Sequence, residues 1–426
     1  AAALVSERYG ADLNGIKNRG YEVFRNVIRD TIQKSLEDNK KQNMKLDILM
    51  EVYIDIKMNI VENKEAINDF IDCVIEISDS VNSDNWNGED VMGIFFNEFN
   101  RYKKKSESGQ VFTPDHITSL MYKILEVNAN DKILDAACGS GAFLVKSMSN
   151  MIKEVGGINT KEAKKIKEHS LFGIEFDREI FALACANMMI HKDGKTNLEQ
   201  LDSRDKEASE WIKSKGITKV LMNPPFERKY GCKKIVENVL NSVPSGIKCA
   251  FIMPEKKMEK DKMGKLLEKH HLEAIIKLPE KLFDAGVTTS IYVFETGKKQ
   301  VGEIYGCYIE DDGLERVKNQ GRQDIKDKWM ELENYWVDSI RKRNDTKYGT
   351  SQWIDPKKFL SYQKPKAEFV LYEEDFVKTM MNYLMFKNKI DVKEFSDKLI
   401  NKTLYNSEIL KEDNNIVIKI KDAEDE

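Results

Sequence analysis

The sequence predicts an α/β fold: a mostly parallel sheet with helices on both faces, preceded by a helical domain and followed by a helical segment. Three observations carry this. From residue 115 short apolar runs alternate with amphipathic stretches, the pattern of strands joined by crossover helices. Before about residue 104 apolar residues recur at helical spacing instead. After about residue 368 strand signals fade until Ile416–Ile420. The expected boundaries are 1–104 for the N-terminal helical domain, 105–368 for the α/β domain and 369–426 for the C-terminal segment.

In the N-terminal part the helical spacing runs through Leu46, Leu49, Val52, Tyr53, Ile56 and Ile60, then through Val91, Ile94, Phe95 and Phe99. A turn cluster at Ser83–Gly88 separates the two stretches. The basic run Arg101–Lys105 leads into Ser-Glu-Ser-Gly and reads as a solvated linker or a nucleic-acid contact. The strands expected next are Lys132–Ala137, Leu171–Phe176, Lys219–Met222, Lys248–Pro254, Leu272–Leu278 and Ser290–Glu295. Helical patterns lie between them, as in Phe143–Val155 and Arg178–His191. Glu373–Asn388 reads as a helix unusually rich in apolar residues.

Bulk composition excludes several function classes. Lys plus Arg (68) and Asp plus Glu (72) nearly cancel, and a net charge of −4 gives no global electrostatic footprint for a lone, tight nucleic-acid binder. The six cysteines form no C-x-x-C pair, which points to reduced thiols in a cytoplasmic protein and not to a disulfide frame. Five histidines without an H-E-x-x-H setting give no metal signal. No apolar run approaches the ~18 residues of a membrane span, and Ala1–Val5 lacks the charged lead of a signal peptide.

Four motifs carry chemistry. Asp135-Ala136-Ala137-Cys138-Gly139-Ser140-Gly141 lies between a strand and a helix, where open α/β sheets bind ligands. Its glycines let backbone pass close to a ligand. Alone this turn fits a plain tight connection or a nucleotide site of another kind, but both G-x-x-x-x-G-K-[ST] and a full G-x-G-x-x-G are absent. Glu175, before Phe176 and Asp177, ends the following strand, where a carboxylate can accept ribose hydroxyls. Asp202 falls where a third strand should end and could accept from an adenine amino group.

The motif of greatest weight is Asn223-Pro224-Pro225-Phe226, after the strand Lys219–Met222. The prolines force the chain out of the sheet in a stiff turn. That turn fixes two acceptors, the Asn223 side-chain oxygen and the Pro224 carbonyl, suited to the two N–H groups of an adenine amino group. Phe226 offers an apolar face to an extruded base. Ahead of the sheet, Gly109-Gln110-Val111-Phe112-Thr113-Pro114 reads as a helix start with Thr113 as N-cap and Pro114 at the first helical position. The same helix terminus suits a carboxylate.

In this order the motifs resemble those of the adenine-specific N6 DNA methyltransferases, and most of all the modification subunits of type I restriction-modification systems. The resemblance spans about residues 89 to 365, including GQVFTP, DAACGSGAFL, FGIEFD, NPPF, CAFIMP and LEAIIKLPEKLFDAGVTTSIYVF. It implies a Rossmann-like methyltransferase domain that uses S-adenosylmethionine. Thr113 with Pro114 would meet the methionyl carboxylate. Asp135, Ala137, Gly139, Ser140 and Gly141 would line the cofactor pocket, Glu175 with Phe176 the ribose side, and Asp202 the cofactor adenine. Asn223, Pro224, Pro225 and Phe226 would hold the target base. Ala136 stands where the family often has proline.

The partners implied are double-stranded DNA, a DNA-specificity subunit, a second copy of this chain and a restriction subunit, in the cytoplasm. A stand-alone or fused adenine DNA methyltransferase is an alternative. So are a glutamine N5 protein methyltransferase, whose motif is a similar Asn-Pro-Pro-Tyr, and a retired fold kept as a scaffold. C5-cytosine chemistry needs a Pro-Cys nucleophile, and no cysteine here follows a proline.

Overall fold

The computed structural model describes residues 2–38, 63–82, 88, 90–94, 113–191, 197–226, 231–259, 264–280, 282–283, 287–317, 321–365, 372–397, 407–412 and 415–420. The apolar stretch Leu46–Ile60, Phe95, Phe99, the basic run 101–105 and Gly109–Phe112 lie outside these residues. Contacts divide the chain into two compact units, Ala1–Gln363 and Lys364–Glu426.

The first unit is built on a nine-stranded sheet. Its strands are β1 (Ile133–Asp135), β2 (Leu171–Glu175), β3 (Asn197–Gln200), β4 (Lys219–Met222), β5 (Lys248–Pro254), β6 (His271–Lys277), β7 (Thr289–Glu295), β8 (Ile304–Tyr308) and, after a small hairpin of β9 (Glu315–Val317) and β10 (Gly321–Gln323), β11 (Ser351–Ile354). The order across the sheet is β11-β8-β6-β7-β5-β4-β1-β2-β3. Strands β1 to β5 pair in parallel, while β7 runs antiparallel between β5 and β6. Strand order reverses between β1 and β4, and a crevice opens at such a switch point beyond the carboxyl ends of the strands.

The expected strands all form, β4 and β5 with the expected ends and the others with ends displaced by one or two residues. Three sheet strands carry no clear sequence signal. β3 alternates Asn-Leu-Glu-Gln with one buried residue, and β8 and β11 pair at the far edge. A parallel strand inside an α/β sheet is covered on both faces, so β5 is apolar along nearly its whole length, Lys248 excepted, and is buried from Cys249 to Pro254.

Alternation sends neighbouring residues into two separate cores. Ile133, Leu221, Ala250 and Ile252 face one apolar cluster, and Leu134, Val220, Met222, Cys249, Phe251 and Met253 face the other. The first cluster also takes in α1 (Ala2–Arg8), α2 (Tyr21–Asp38) and α3 (Lys64–Asn82) through Leu4, Phe24, Ile28 and Ile71. It is completed by α4 (Asp115–Ile124), α5 (Ala142–Glu154) and α7 (Arg178–Ile190), with α6 (Lys161–His169) between the last two in sequence. The second cluster is roofed by α8 (Lys206–Lys213) and α9 (Cys232–Ser242). Among the described residues no helix is long and apolar enough to cross a membrane.

The second unit contains the helix Glu373–Lys387, capped by a reciprocal Tyr372–Asp375 arrangement, and a hairpin of Ser407–Glu412 with Asn415–Ile420. The strand at Ile416–Ile420 was expected and its partner was not. Phe376, Val377, Met380, Met381, Tyr383, Leu384 and Phe386 of the helix are all exposed.

Candidate active site

The loop after β1 turns sharply because Gly139 and Gly141 hold φ of 54° and 93°, a left-handed region that suits glycine. Gly141 is the residue from which α5 starts, and its N–H closes the turn on the Cys138 carbonyl at 2.7 Å. A Cβ on Gly139 would meet nothing within 4 Å, so the backbone there faces open pocket. Ala137 N–H donates to the Asp135 carboxyl at 3.1 Å, and Gly139 N–H donates to Glu175 Oε2 at 3.0 Å. The turn after β1 is thus fastened to the end of β2.

Glu175 also accepts from the Asp177 N–H at 2.9 Å. Asp177 caps α7, its carboxylate accepting from Glu179 N and Ile180 N at 3.0 and 3.1 Å. Burial raises the pKa of both site carboxyls, and Glu175 adds to the rise at Asp135, which reaches about 8. Phe176 follows, 57% exposed at the pocket mouth.

Asp202 sits two residues beyond β3, and its carboxylate is clasped by Arg204. The guanidinium Nε donates at 2.8 and 3.0 Å, and the Arg204 N–H donates at 2.9 Å. This pairing holds the Asp202 carboxyl below the usual carboxylate range. The Arg204 guanidinium also lies 5.9 Å from the centre of the Phe176 ring.

Asn223 leaves β4 directly into the Pro-Pro turn, and its Nδ2 donates to Thr113 Oγ1 at 2.9 Å. This corrects the expected role of Thr113 at the helix start. Pro114, with φ −59° and ψ 142°, is the N-cap of α4, and no side chain caps that end. The extended ψ that precedes the helix places Thr113 one position too early to reach the first-turn amides, and its hydroxyl meets Asn223 instead. Phe226 is buried edge-on against Phe283, ring centres 5.4 Å apart, and its carbonyl accepts from Lys257 Nζ.

One pocket therefore gathers Thr113, Asp135, Ala137, Gly139, Ser140, Glu175, Phe176, Asp202, Asn223 and Pro225. Pro114, Gly141, Pro224 and Phe226, also expected at the site, do not line it. Cys138, Asp177, Ser203, Arg204 and Ile235 do, unanticipated. Arg204 carried a weak sequence signal, a cation two residues after a candidate acid. Ile235 carried none, because it comes from α9, across the switch point.

Comparison with known proteins decides the family. Residues 87–245 match the N-6 DNA Methylase family. That segment belongs to it. The methylase segment extends from the stretch before α4, through the Gly-rich turn and Glu175, past Asn223 to the end of α9. Over 340 residues the chain is 30% identical to the type II restriction enzyme and methyltransferase RM.BcgI of Heyndrickxia coagulans, 73% of this chain and 51% of that one. It is 24% identical to the type I restriction enzyme MjaVII methylase subunit of Methanocaldococcus jannaschii, covering 62% of this chain and 53% of the relative. The chain spans about half the length of the curated relatives it matches.

Among solved structures, a modification subunit of a type I restriction enzyme from Vibrio vulnificus superposes with a TM-score of 0.55 at 18% identity, over 76% of this chain and 73% of that one. A methyltransferase subunit of a type I system from Streptococcus thermophilus gives 0.52 at 15% identity, over 77% and 73%. These likenesses establish the Rossmann-like methyltransferase fold of the N-6 DNA methylase segment and its sheet.

Proposed function

We propose that this chain transfers a methyl group from S-adenosylmethionine to the N6 amino group of adenine in DNA, as the modification subunit of a type I restriction-modification system. The observation that carries the reading is the position of Asn223: at the carboxyl end of β4, in the same pocket as the Gly-rich turn and Glu175.

The charge of that pocket supports this cofactor. Among the described lining residues, Glu175, Asp177 and Asp202 set their carboxyl groups against one cation, Arg204, which Asp202 already engages, while Asp135 keeps its proton at neutral pH. An acidic pocket repels the phosphates of ATP or a dinucleotide and attracts a cationic nucleoside. Glu175 would hold the ribose hydroxyls, Asp202 and Phe176 the adenine, and Asp135 with Gly139 and Ser140 the aminoacyl end. The bound sulfonium supplies an electrophilic methyl carbon.

The remaining work falls to the turn. Thr113 takes the Asn223 amide by its nitrogen, which orients the side chain, and the amide oxygen is the acceptor assigned to a target amino group. The Pro224 carbonyl is the second acceptor, held by the rigid Pro-Pro backbone. With both N–H groups so bound, the amino lone pair would be turned out of the base plane, where it could form the new N–C bond as the bond from the methyl carbon to sulfur breaks and its electron pair stays on the sulfur of the departing S-adenosylhomocysteine. One of the held protons is afterwards lost to solvent. Phe226, anchored by Phe283 and by Lys257 at its carbonyl, sets the direction of the turn.

Extruding adenine costs a few kcal/mol, which contacts on the flanking DNA must offset. A DNA-specificity subunit supplies those contacts in this reading. The exposed apolar helix Glu373–Lys387 within 369–426 is its docking element. Residues 105–368 are the catalytic domain behind 1–104, with a second copy and a restriction subunit completing a cytoplasmic complex.

Asn223→Ala tests the assignment. Tritium transfer from labelled S-adenosylmethionine should disappear, while calorimetric titration shows nearly unchanged cofactor affinity, because the lost acceptor acts on the target and not on the cofactor. Normal transfer by this variant would sink the reading.

A further inference from the structure

Asp90 lies outside the pocket lining, and both oxygens of its partly buried carboxylate are engaged. Oδ1 accepts from the Gly93 N–H at 2.7 Å and from Asn187 Nδ2 at 2.8 Å, and Oδ2 accepts from the Ser140 hydroxyl. Asn187, itself fully buried on α7, donates a second time, to the Ser140 carbonyl at 2.9 Å. Ser140 is the middle residue of Gly139-Ser140-Gly141. Its side chain and its carbonyl are therefore both tied down, by two residues distant in sequence and on different elements.

The surrounding backbone is cut to fit this arrangement. A Cβ on Gly93 would stand 2.2 Å from Asp90 Oδ2, and a Cβ on Gly88 would stand 2.4 Å from the Cβ of Ser149 on α5. Gly88 lets the backbone there lie directly against α5, the helix that the Gly-rich turn begins, and Gly93 leaves room for the Asp90 carboxylate to fold back onto its N–H. The two left-handed residues of that turn carry no side chains of their own; Glu175 holds the Gly139 N–H from β2, and Ser140 between them is the turn's own side-chain anchor. An unanchored di-glycine turn would exchange among several backbone states and bind less tightly in proportion.

We infer that Asp90 is a positioning residue that, through Ser140 and Asn187, holds the Gly-rich turn in its cofactor-accepting conformation. This rests on the proposed use of S-adenosylmethionine. All three groups that Asp90 receives are donors at present, but the Ser140 hydroxyl can also accept. Asparagine at position 90 keeps its oxygen toward Gly93 and Asn187 and offers its NH2 to Ser140, so Asp90→Asn preserves the network. Alanine removes it.

The test uses the full chain and S-adenosylhomocysteine as the titrant. Asp90→Ala should raise its Kd by about tenfold or more, while Asp90→Asn stays within roughly threefold of the unchanged chain. In the transfer assay Asp90→Ala should raise the KM for S-adenosylmethionine with little change in kcat. Ile28→Ala, which opens a cavity beside α2 at a residue outside the pocket lining, serves as a control for a general loss of stability. Unchanged affinity in folded Asp90→Ala, or an equal loss in Ile28→Ala at a matched melting temperature, overturns the inference alone. If the unchanged chain itself fails to bind S-adenosylhomocysteine, the functional reading falls and takes this inference with it.

Discussion

Thr113 and Glu175 show how single hydrogen bonds divide the site's labour. Thr113 accepts from Asn223, so Thr113→Val should leave cofactor affinity intact and lower kcat by about tenfold, the equivalent of ~1.4 kcal/mol in the transition state. Equal loss in kcat and in cofactor Kd would show that Thr113 serves the cofactor alone. Glu175 already accepts two backbone N–H groups, and Glu175→Ala should weaken S-adenosylhomocysteine binding roughly ten- to a hundredfold. An unchanged Kd would leave Glu175 as no more than a fastener of the turn. Asn223, Thr113, Glu175 and Asp135 were all visible in the sequence because each belongs to a short local motif. Asp90 and Arg204 were not. Asp90 acts on partners 50 and 97 positions away, and Arg204 offers the sequence only its two-residue spacing from Asp202, since the ring it overlies, Phe176, comes from another strand end.

Strands announce themselves when both faces are buried, and less so at the margins of the sheet. β4, β5 and β7 read plainly because each carries an unbroken apolar run, Val220–Met222, Cys249–Pro254 and Ile291–Phe294. β3 and β11 are the two edges, half covered and polar, and sequence pattern alone passes over them. The start of α4 was misread for a related reason: an N-cap is a matter of ψ, and Thr-Pro admits both placements of the first helical residue. Within β2, Gly173 has a packing role. A Cβ there would stand 2.4 Å from Leu198 Cδ2 on β3, 3.0 Å from Leu144 Cδ1 on α5 and 3.1 Å from Cys138 Sγ in the turn. Gly173→Ala should therefore cost about 1–3 kcal/mol and lower the melting temperature. Gly264→Ala, where a Cβ meets nothing within 4 Å, should stay near neutral. A thermal scan of both variants decides it, and equal melting temperatures would contradict the packing.

Stability of the whole chain carries a pH signature from Asp135. The unfolded chain releases that proton near 3.8 and the folded chain only at about 8. Between these values the folded form holds a proton that the unfolded form has lost, so stability falls as pH rises, by at most about 1.4 kcal/mol per pH unit. Asp135→Asn should flatten the decline in melting temperature from pH 5 to 8, and an unaltered slope would assign it to other groups. On DNA, the chain alone should bind weakly and without sequence preference, with Kd in the ~10⁻⁴ to 10⁻⁶ M range at physiological salt. Site-specific methylation by the purified chain, with no specificity subunit present, would contradict this. The sheet order also sets a timetable for synthesis. β6 touches β5 nowhere directly; its sheet neighbours are β7 and β8, both later in the chain. Until Thr289–Glu295 has left the ribosome, β5 shows an apolar open edge and β6 has no ladder to join. Nascent chains at that stage are the ones most prone to pair with each other. Chaperone demand should accordingly peak late, after the cofactor half of the sheet can already close, and chains arrested just short of β7 should go to inclusion bodies.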